Sequence, residues 1–539
     1  MRLMERLQPR RDAPMPLWMI FSVIFVALYV SHITLLTLPY YWDEAGYYIP
    51  AAWDFFRTGS LIPITTLSNA HPPVPSIYLA LWWKASGFLP EVTREAVLMV
   101  ASLALLGVWR IAMLLTGRIA IAFWTVLLTG LYPIWFAQST LAHADIFAAA
   151  CTLWGLVCAL PEKNRTPWAA AIWFTLAALS KETAIAIPVV LAAMSLWAAV
   201  RGKAEERRAR LSESAWLTSP VLPLVCWYAW HYLKTGFLFG NAGFLRYNAE
   251  ATLNVKRIAA ALFYRGLHLT AHMNLFVPVA MALAALLLPV RDDEHGVKRK
   301  GISEQARLRI FVLLGLNAVL FSVLGGALLT RYLLPMYPLV LVMVVTAFYR
   351  RVPFWPAIAT FSAVAFVLGL FINPPYRFAP EDNLEYAHVV RLHEAGIAEL
   401  VKKYPAATVL TAWPVSDELT KPELGYVRTP FKVVTLEDFT EAQVERAAQE
   451  PEKYSAALVF STKYDPAKLP YLLGHAGESV AETYFDLHHD LSPQTIARRL
   501  GGTLEWSRKD AGMWIGLIRF NRQFEAATVP TKTLAAARH

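Results

Sequence analysis

The sequence predicts a mainly α-helical membrane protein: a polytopic helix bundle of about eleven spans followed by a C-terminal extracytoplasmic α/β domain. Three observations lead there. Hydrophobic residues make up 56% of the 539, with 19 Trp and a mean hydropathy of +0.39, a composition outside the range of soluble chains. Apolar segments of the roughly 20 residues that cross a bilayer as a helix recur from Leu17 to Ile372. After Asn373 the pattern stops, and charge mixes with β-rich runs such as "TVLTAW" and helical stretches such as "LEDFTEAQVERAAQE". Residues 1–373 are therefore expected to form the membrane domain, with a first outer loop over 39–94, and residues 374–539 a soluble one.

The first apolar segment, "LWMIFSVIFVALYVSHITLLTL", is too long for a signal-peptide core and lacks a small-residue cleavage site, so it is expected to stay as an anchor. The spans that follow are expected near 95–116, 119–133, 140–160, 167–180, 183–200, 215–233, 266–290, 309–329, 332–349 and 354–372. Cys151, Cys158 and Cys226 all fall in apolar segments and read as packing residues. The stretch "HPPVPSIYLALWWKASGF" could be a further span or an amphipathic helix lying on the surface. Charge arbitrates. With the stretch on the surface and the N-terminus inside, the cytoplasmic segments hold twenty Lys and Arg and the opposite loops ten. That is the positive-inside asymmetry; a crossing here would invert it and export "RGKAEERRARLSES". An odd number of spans then exports the C-terminal domain.

This topology gathers Asp43, Glu44, His71, Arg94, His143, Asp145, Lys181, Glu182, Arg331 and Tyr332 on the outer side, from six loops or helix ends. Singly, each reads equally well as a helix-end residue reaching the interface. Together they read as a site, because ionisable groups at membrane depth are costly and tend to mark function. The net charge of +10 is accounted for by the cytoplasmic loops, no nucleic-acid partner is expected, and no Gly-rich phosphate loop supports nucleotide binding.

Several of these elements resemble the GT-C superfamily of polyprenyl-phosphate-dependent glycosyltransferases, in particular the branch of protein O-mannosyltransferases and of the aminoarabinose transferases that modify lipid A. The carrying motifs are "WDEAGYY" after the first span, His71-Pro72-Pro73, Arg94 in "TREAVLMVASLALL", "SKETAIAIP", "TRYLLPMYPL" and, in the tail, "TVLTAWPVSDELTKPELGY". The resemblance covers most of the chain through scattered elements. It implies transfer of a hexose or pentose from a lipid phosphate, with inversion, to a glycan, lipid or protein acceptor on the outer side of a bacterial inner membrane. Some relatives carry a metal-holding Glu-Lys before the Pro-Pro pair; this chain has Ala70-His71, which leaves a divalent metal open.

The chemistry assigns expected roles. A hydroxyl acceptor loses a proton as it attacks the anomeric carbon, and Asp43, just beyond Pro39, is the expected base. Glu44 points elsewhere and is expected to orient the Asp43 loop, bind sugar hydroxyls or hold a cation. The leaving lipid phosphate needs cations, for which Lys181, Arg331 and Arg94 are the candidates and Arg246 a weaker one. Tyr47 and Tyr332 could stack on the sugar or belong to an interfacial aromatic belt. His143 and Asp145 begin an outer helix, where Asp145 suits either the helix dipole or a substrate contact. His268 and His272 in "HLTAH" have a zinc-compatible spacing without an evident third ligand. The tail is expected to cover the outer cavity and help select the acceptor. The competing classes are a transporter or lipid flippase, against which no internal repeat is found, and a membrane scaffold.

Overall fold

The computed structural model describes residues 15–68, 71–160, 165–293, 295–464 and 474–520. The basic residues before Met15, Ala70 and Lys163, used above, lie outside them. The chain forms two compact units, residues 1–390 with 468–487 and residues 391–467 with 488–539. Thus 374–390 goes with the helices rather than with the expected C-terminal domain.

The first unit is helical; each expected span overlaps helical residues, with 215–233 and 266–290 each falling on two helices. Four described helices are long and apolar enough to cross a membrane alone: Leu17–Leu35, Pro90–Thr116, Glu182–Arg201 and Glu304–Val323. Shorter apolar helices, among them Ile119–Leu131, Ala144–Ala159, Pro167–Ala178 and Trp355–Phe371, fill the rest. Their outward faces are studded with exposed apolar side chains such as Val23, Val26 and Val30 on the first helix and Phe361, Leu368 and Phe371 on the last. A bundle whose outside is this apolar is built for lipid. The helix Val74–Ser86 buries Leu79 and Trp83 against the bundle and leaves Leu81 exposed.

Several helices stop short of the expected span ends. The segment expected as one span over 266–290 breaks into Val255–Thr270 and Phe276–Leu286, with Met273 and Asn274 at positive φ between them. Irregular backbone also occupies 139–143, 179–181 and 324–329, where Gly325 takes a φ of 94° that only glycine adopts freely. Non-helical backbone at membrane depth needs protein or a cavity around it. These breaks surround the candidate site.

The second unit carries a five-stranded sheet in the order β2-β1-β3-β5-β4. Strands β1 (Thr408–Ala412), β2 (Lys432–Leu436) and β3 (Ala456–Phe460) are parallel, and β5 (Met513–Arg519) runs antiparallel to β3 and to β4 (Thr503–Asp510). The buried β3 and β5 match the expected "AALVFST" and "GMWIGLIRF". Strand β4, "TLEWSRKD", was not expected: it is a polar edge strand with no alternating apolar face to betray it. Beneath the sheet, the His393 ring and Glu418 form a buried pair at 3.0 Å.

Candidate active site

The first loop turns sharply where the acidic pair sits. Trp42 takes a φ of 44°, rare for a side chain of that size, and a π-helical turn over Glu44–Tyr48 follows before the helix Ile49–Thr58. Consecutive residues at such a turn point about 100° apart, so Asp43 and Glu44 meet different surroundings.

Glu44 is wholly buried, and both oxygens are engaged. Oε1 accepts from Arg94 Nη1 at 2.5 Å and from the Ala142 amide at 2.6 Å; Oε2 accepts from the Tyr41 amide at 2.9 Å. Arg94, 1% exposed, donates further to the carbonyls of Thr140 at 2.7 Å and Pro39 at 2.8 Å. This clamp ties the first loop, the helix Pro90–Thr116 and the 139–143 turn into one piece. Glu44, for which loop orientation, sugar binding and cation binding were all expected, and Arg94, expected to face the phosphate, are both buried and paired with each other.

Asp43 differs. Its Oδ2 meets Arg331 Nη2, its side chain is 22% exposed, and no described contact engages Oδ1. Arg331, in the turn Thr330–Leu333, also meets Glu381 through Nη1 and lies 3.3 Å from Asp145 through Nε. Asp145, in the first turn of Ala144–Ala159, accepts from Lys181 Nζ at 2.5 Å, and that ammonium stands 3.9 Å from the centre of the Tyr332 ring. Asp43, Asp145, Lys181, Arg331 and Tyr332 are therefore one contiguous network drawn from four parts of the chain. Lys181, Asp145, Arg331 and Tyr332 also line a narrow cleft of about 20 Å³, whose other walls are Ala148, Ala149, Ala184, Ile187, Phe321 and Pro335 with Thr152, Thr183 and Asn317 among them.

His71 lies beside the network, its Nδ1 2.9 Å from Glu182 and its ring stacked with Tyr48. His143 is buried with Nδ1 on Gln138 at 2.9 Å and Nε2 without a hydrogen-bond partner among the described residues. Tyr47 is 36% exposed at the turn that carries Asp43. Arg246 is exposed on Ala242–Asn248, and no described contact joins it to the network.

The donor set does not suit a divalent metal as arranged. Asp43, Asp145 and Glu381 converge on a guanidinium, and Glu44 faces another, so protein cations already occupy the places a metal would take. His71 is engaged by Glu182. The "HLTAH" spacing is used for support instead: His272 pairs with Asp382 at 2.9 Å and with the Tyr376 hydroxyl at 3.1 Å, and His268 Nδ1 accepts from Arg265 at 3.4 Å. Asp382 accepts in turn from the Thr330 hydroxyl, which anchors the residue preceding Arg331.

Glu381, Asp382 and Gln138 were not expected here. The signal for the first two was present: "PED" after the last span repeats the pattern of an acidic pair beyond an apolar segment that marked Asp43 and Glu44. It fell on the far side of the expected domain boundary.

No protein-family model and no curated protein sequence matches the chain. Among solved structures, it is similar to ArnT from Cupriavidus metallidurans bound to undecaprenyl phosphate, with a TM-score of 0.54 at 14% identity, covering 93% of this chain and 97% of that one. The apo state of the same protein gives a TM-score of 0.54 at 14% identity over 92% of this chain and 97% of that one. The chain shares the fold of ArnT.

Proposed function

We propose that this protein is an integral-membrane glycosyltransferase that takes a hexose or pentose from a polyprenyl-phosphate donor and passes it, with inversion, to a glycan, lipid or protein acceptor on the outer face of a bacterial inner membrane. One observation carries the reading: Lys181 and Arg331 line a cleft whose remaining walls are mostly apolar, with Asp43 held beside Arg331 and partly open. An embedded lipid whose phosphate emerges among cations has that chemistry. The likeness to an ArnT structure that binds undecaprenyl phosphate supports it.

The mechanism follows from the charges. The acceptor hydroxyl attacks the anomeric carbon while Asp43 Oδ1 takes its proton, the bond from that carbon to the phosphate oxygen breaks, and the phosphate leaves with the electron pair. Lys181 and Arg331 stabilise the charge that develops there; being fixed by Asp145 and Glu381, they need little reorganisation. Tyr332 offers its ring beside Lys181, and Tyr47 an exposed ring near Asp43, for the sugar. The clamp of Glu44 and Arg94 keeps the loop of Asp43 in register with the turn that precedes Asp145.

The test supplies purified full-length protein in lipid nanodiscs with undecaprenyl phosphate carrying a radiolabelled sugar, aminoarabinose and mannose in turn. Envelope lipids, glycans and proteins from cells lacking the protein serve as acceptors. Label should leave the lipid for one acceptor class. Movement of intact labelled lipid between leaflets without cleavage would instead establish the flippase reading.

A further inference from the structure

Glu381 sits in the turn Pro380–Asp382 with 4% exposure. Its Oε2 meets Arg331, and its Oε1 is buried with no hydrogen-bond partner among the described residues. The groups that face it are Arg331 from the turn Thr330–Leu333, Asp43 and the Tyr41 hydroxyl from the first loop, Asp145 from Ala144–Ala159 and Asp382 beside it. In this network two cations, Arg331 and Lys181, face three carboxylates, Asp43, Asp145 and Glu381. Asp382 is met separately by His272 and Thr330.

A buried surplus of negative charge is relieved by a proton on the carboxyl that the surroundings solvate least. Asp145 lies against two cations, its Oδ2 3.3 Å from Arg331 Nε without a hydrogen bond, and Asp43 is partly open to water. Glu381 has one cation and a bare oxygen.

We propose that Glu381 is a positioning residue that acts through Arg331: as a neutral carboxyl it fixes the guanidinium with one hydrogen bond and leaves its charge for the donor's phosphate, and as a carboxylate it competes with that phosphate. The inference rests on the lipid-phosphate reading above. Burial pushes the Glu381 carboxyl up to about 8 against the pull of Arg331, with Asp43, Asp382 and Asp145 adding to the rise. The sign follows. Below that point the carboxyl is neutral and Arg331 is available; above it the carboxylate holds Arg331, and lipid phosphate binds more weakly.

The experiment measures binding of undecaprenyl phosphate to the full-length protein in nanodiscs on either side of this midpoint of about 8. Wild type should lose affinity across it by roughly five- to tenfold. Glu381→Gln, neutral at every pH, should bind as wild type does on the acid side and stay nearly flat. Glu381→Asp, still titratable, should keep a pH-dependent loss, which a purely structural role would not restore. Ionisation of the lipid phosphate itself is common to all three proteins and cancels in the comparison. An equal loss in wild type and Glu381→Gln overturns the inference alone. No binding by wild type at any pH overturns the lipid-phosphate reading and the inference with it.

Discussion

Asp43 and Glu44 are neighbours in sequence, and the structure gives them opposite surroundings. Glu44 is sealed, with both oxygens satisfied by Arg94 and two amides; Asp43 shares Arg331 with Glu381 and Asp145 and keeps one oxygen free of described contacts. Each acid faces an arginine, yet the first pair is closed and the second is open. The difference teaches that neighbouring acids can divide their roles by enclosure: the enclosed carboxylate supports the fold, and the partly open one suits the reacting role of the proposed function. A sealed pair cannot change its bonds during a reaction. An unsaturated one can receive a proton or a phosphate without breaking the bundle.

The comparison breaks most visibly at Asp43. Asp43→Asn keeps the shape and removes the proposed base, so transfer should fall by about 10²- to 10⁴-fold while the unfolding transition barely moves. Initial rates and thermal unfolding of the same preparation check this.

Glu44→Gln should do the reverse. It leaves Arg94 buried with its counter-charge gone, at a cost of about 3–5 kcal/mol, read as a lowered unfolding midpoint in detergent. The protein that remains folded should still transfer sugar. A stable Glu44→Gln protein without activity would put Glu44 in the chemistry instead.

Lys181→Gln sharpens the comparison on the donor side. It removes a cation from the mouth of the cleft and should weaken donor binding by about tenfold, raising the donor KM more than it lowers kcat. The smallest effect is expected at Arg246, where Arg246→Ala should change stability by less than about 0.5 kcal/mol and donor KM by less than about twofold.

Much of the fold was legible because a bilayer imposes length and hydropathy so strictly that apolar segments announce their helices. The interruptions were not legible. The break around Met273 and Asn274 lies in a stretch apolar enough on average to read as one span despite His268, Thr270, His272 and Asn274, because hydropathy reads the side chains and not the backbone turn. Strand β4 escaped because it lies at the sheet edge with its polar residues half exposed.

In the candidate site, Asp43, Asp145, Lys181 and Arg331 stood out in the sequence because charged residues beside spans are too costly to be common. Their mutual contacts could not, since those depend on how the helices pack. The roles expected of Glu44 and Arg94 illustrate the limit: residue type and position on the chain cannot separate a sealed carboxylate from an open one. Glu381 was overlooked for a different reason. Where hydropathy ends, 374–390 resembles the start of a soluble domain, while the structure packs it against the helices through Asp382, Tyr376 and Glu381.

The most direct test of the account puts the two neighbouring acids side by side. Asp43→Asn and Glu44→Gln, purified as full-length proteins in nanodiscs, are assayed for release of radiolabelled sugar from undecaprenyl phosphate and for unfolding in the same preparations. The account predicts a folded, inactive Asp43→Asn and a destabilised, active Glu44→Gln. Sugar release by Asp43→Asn at the wild-type rate would contradict it.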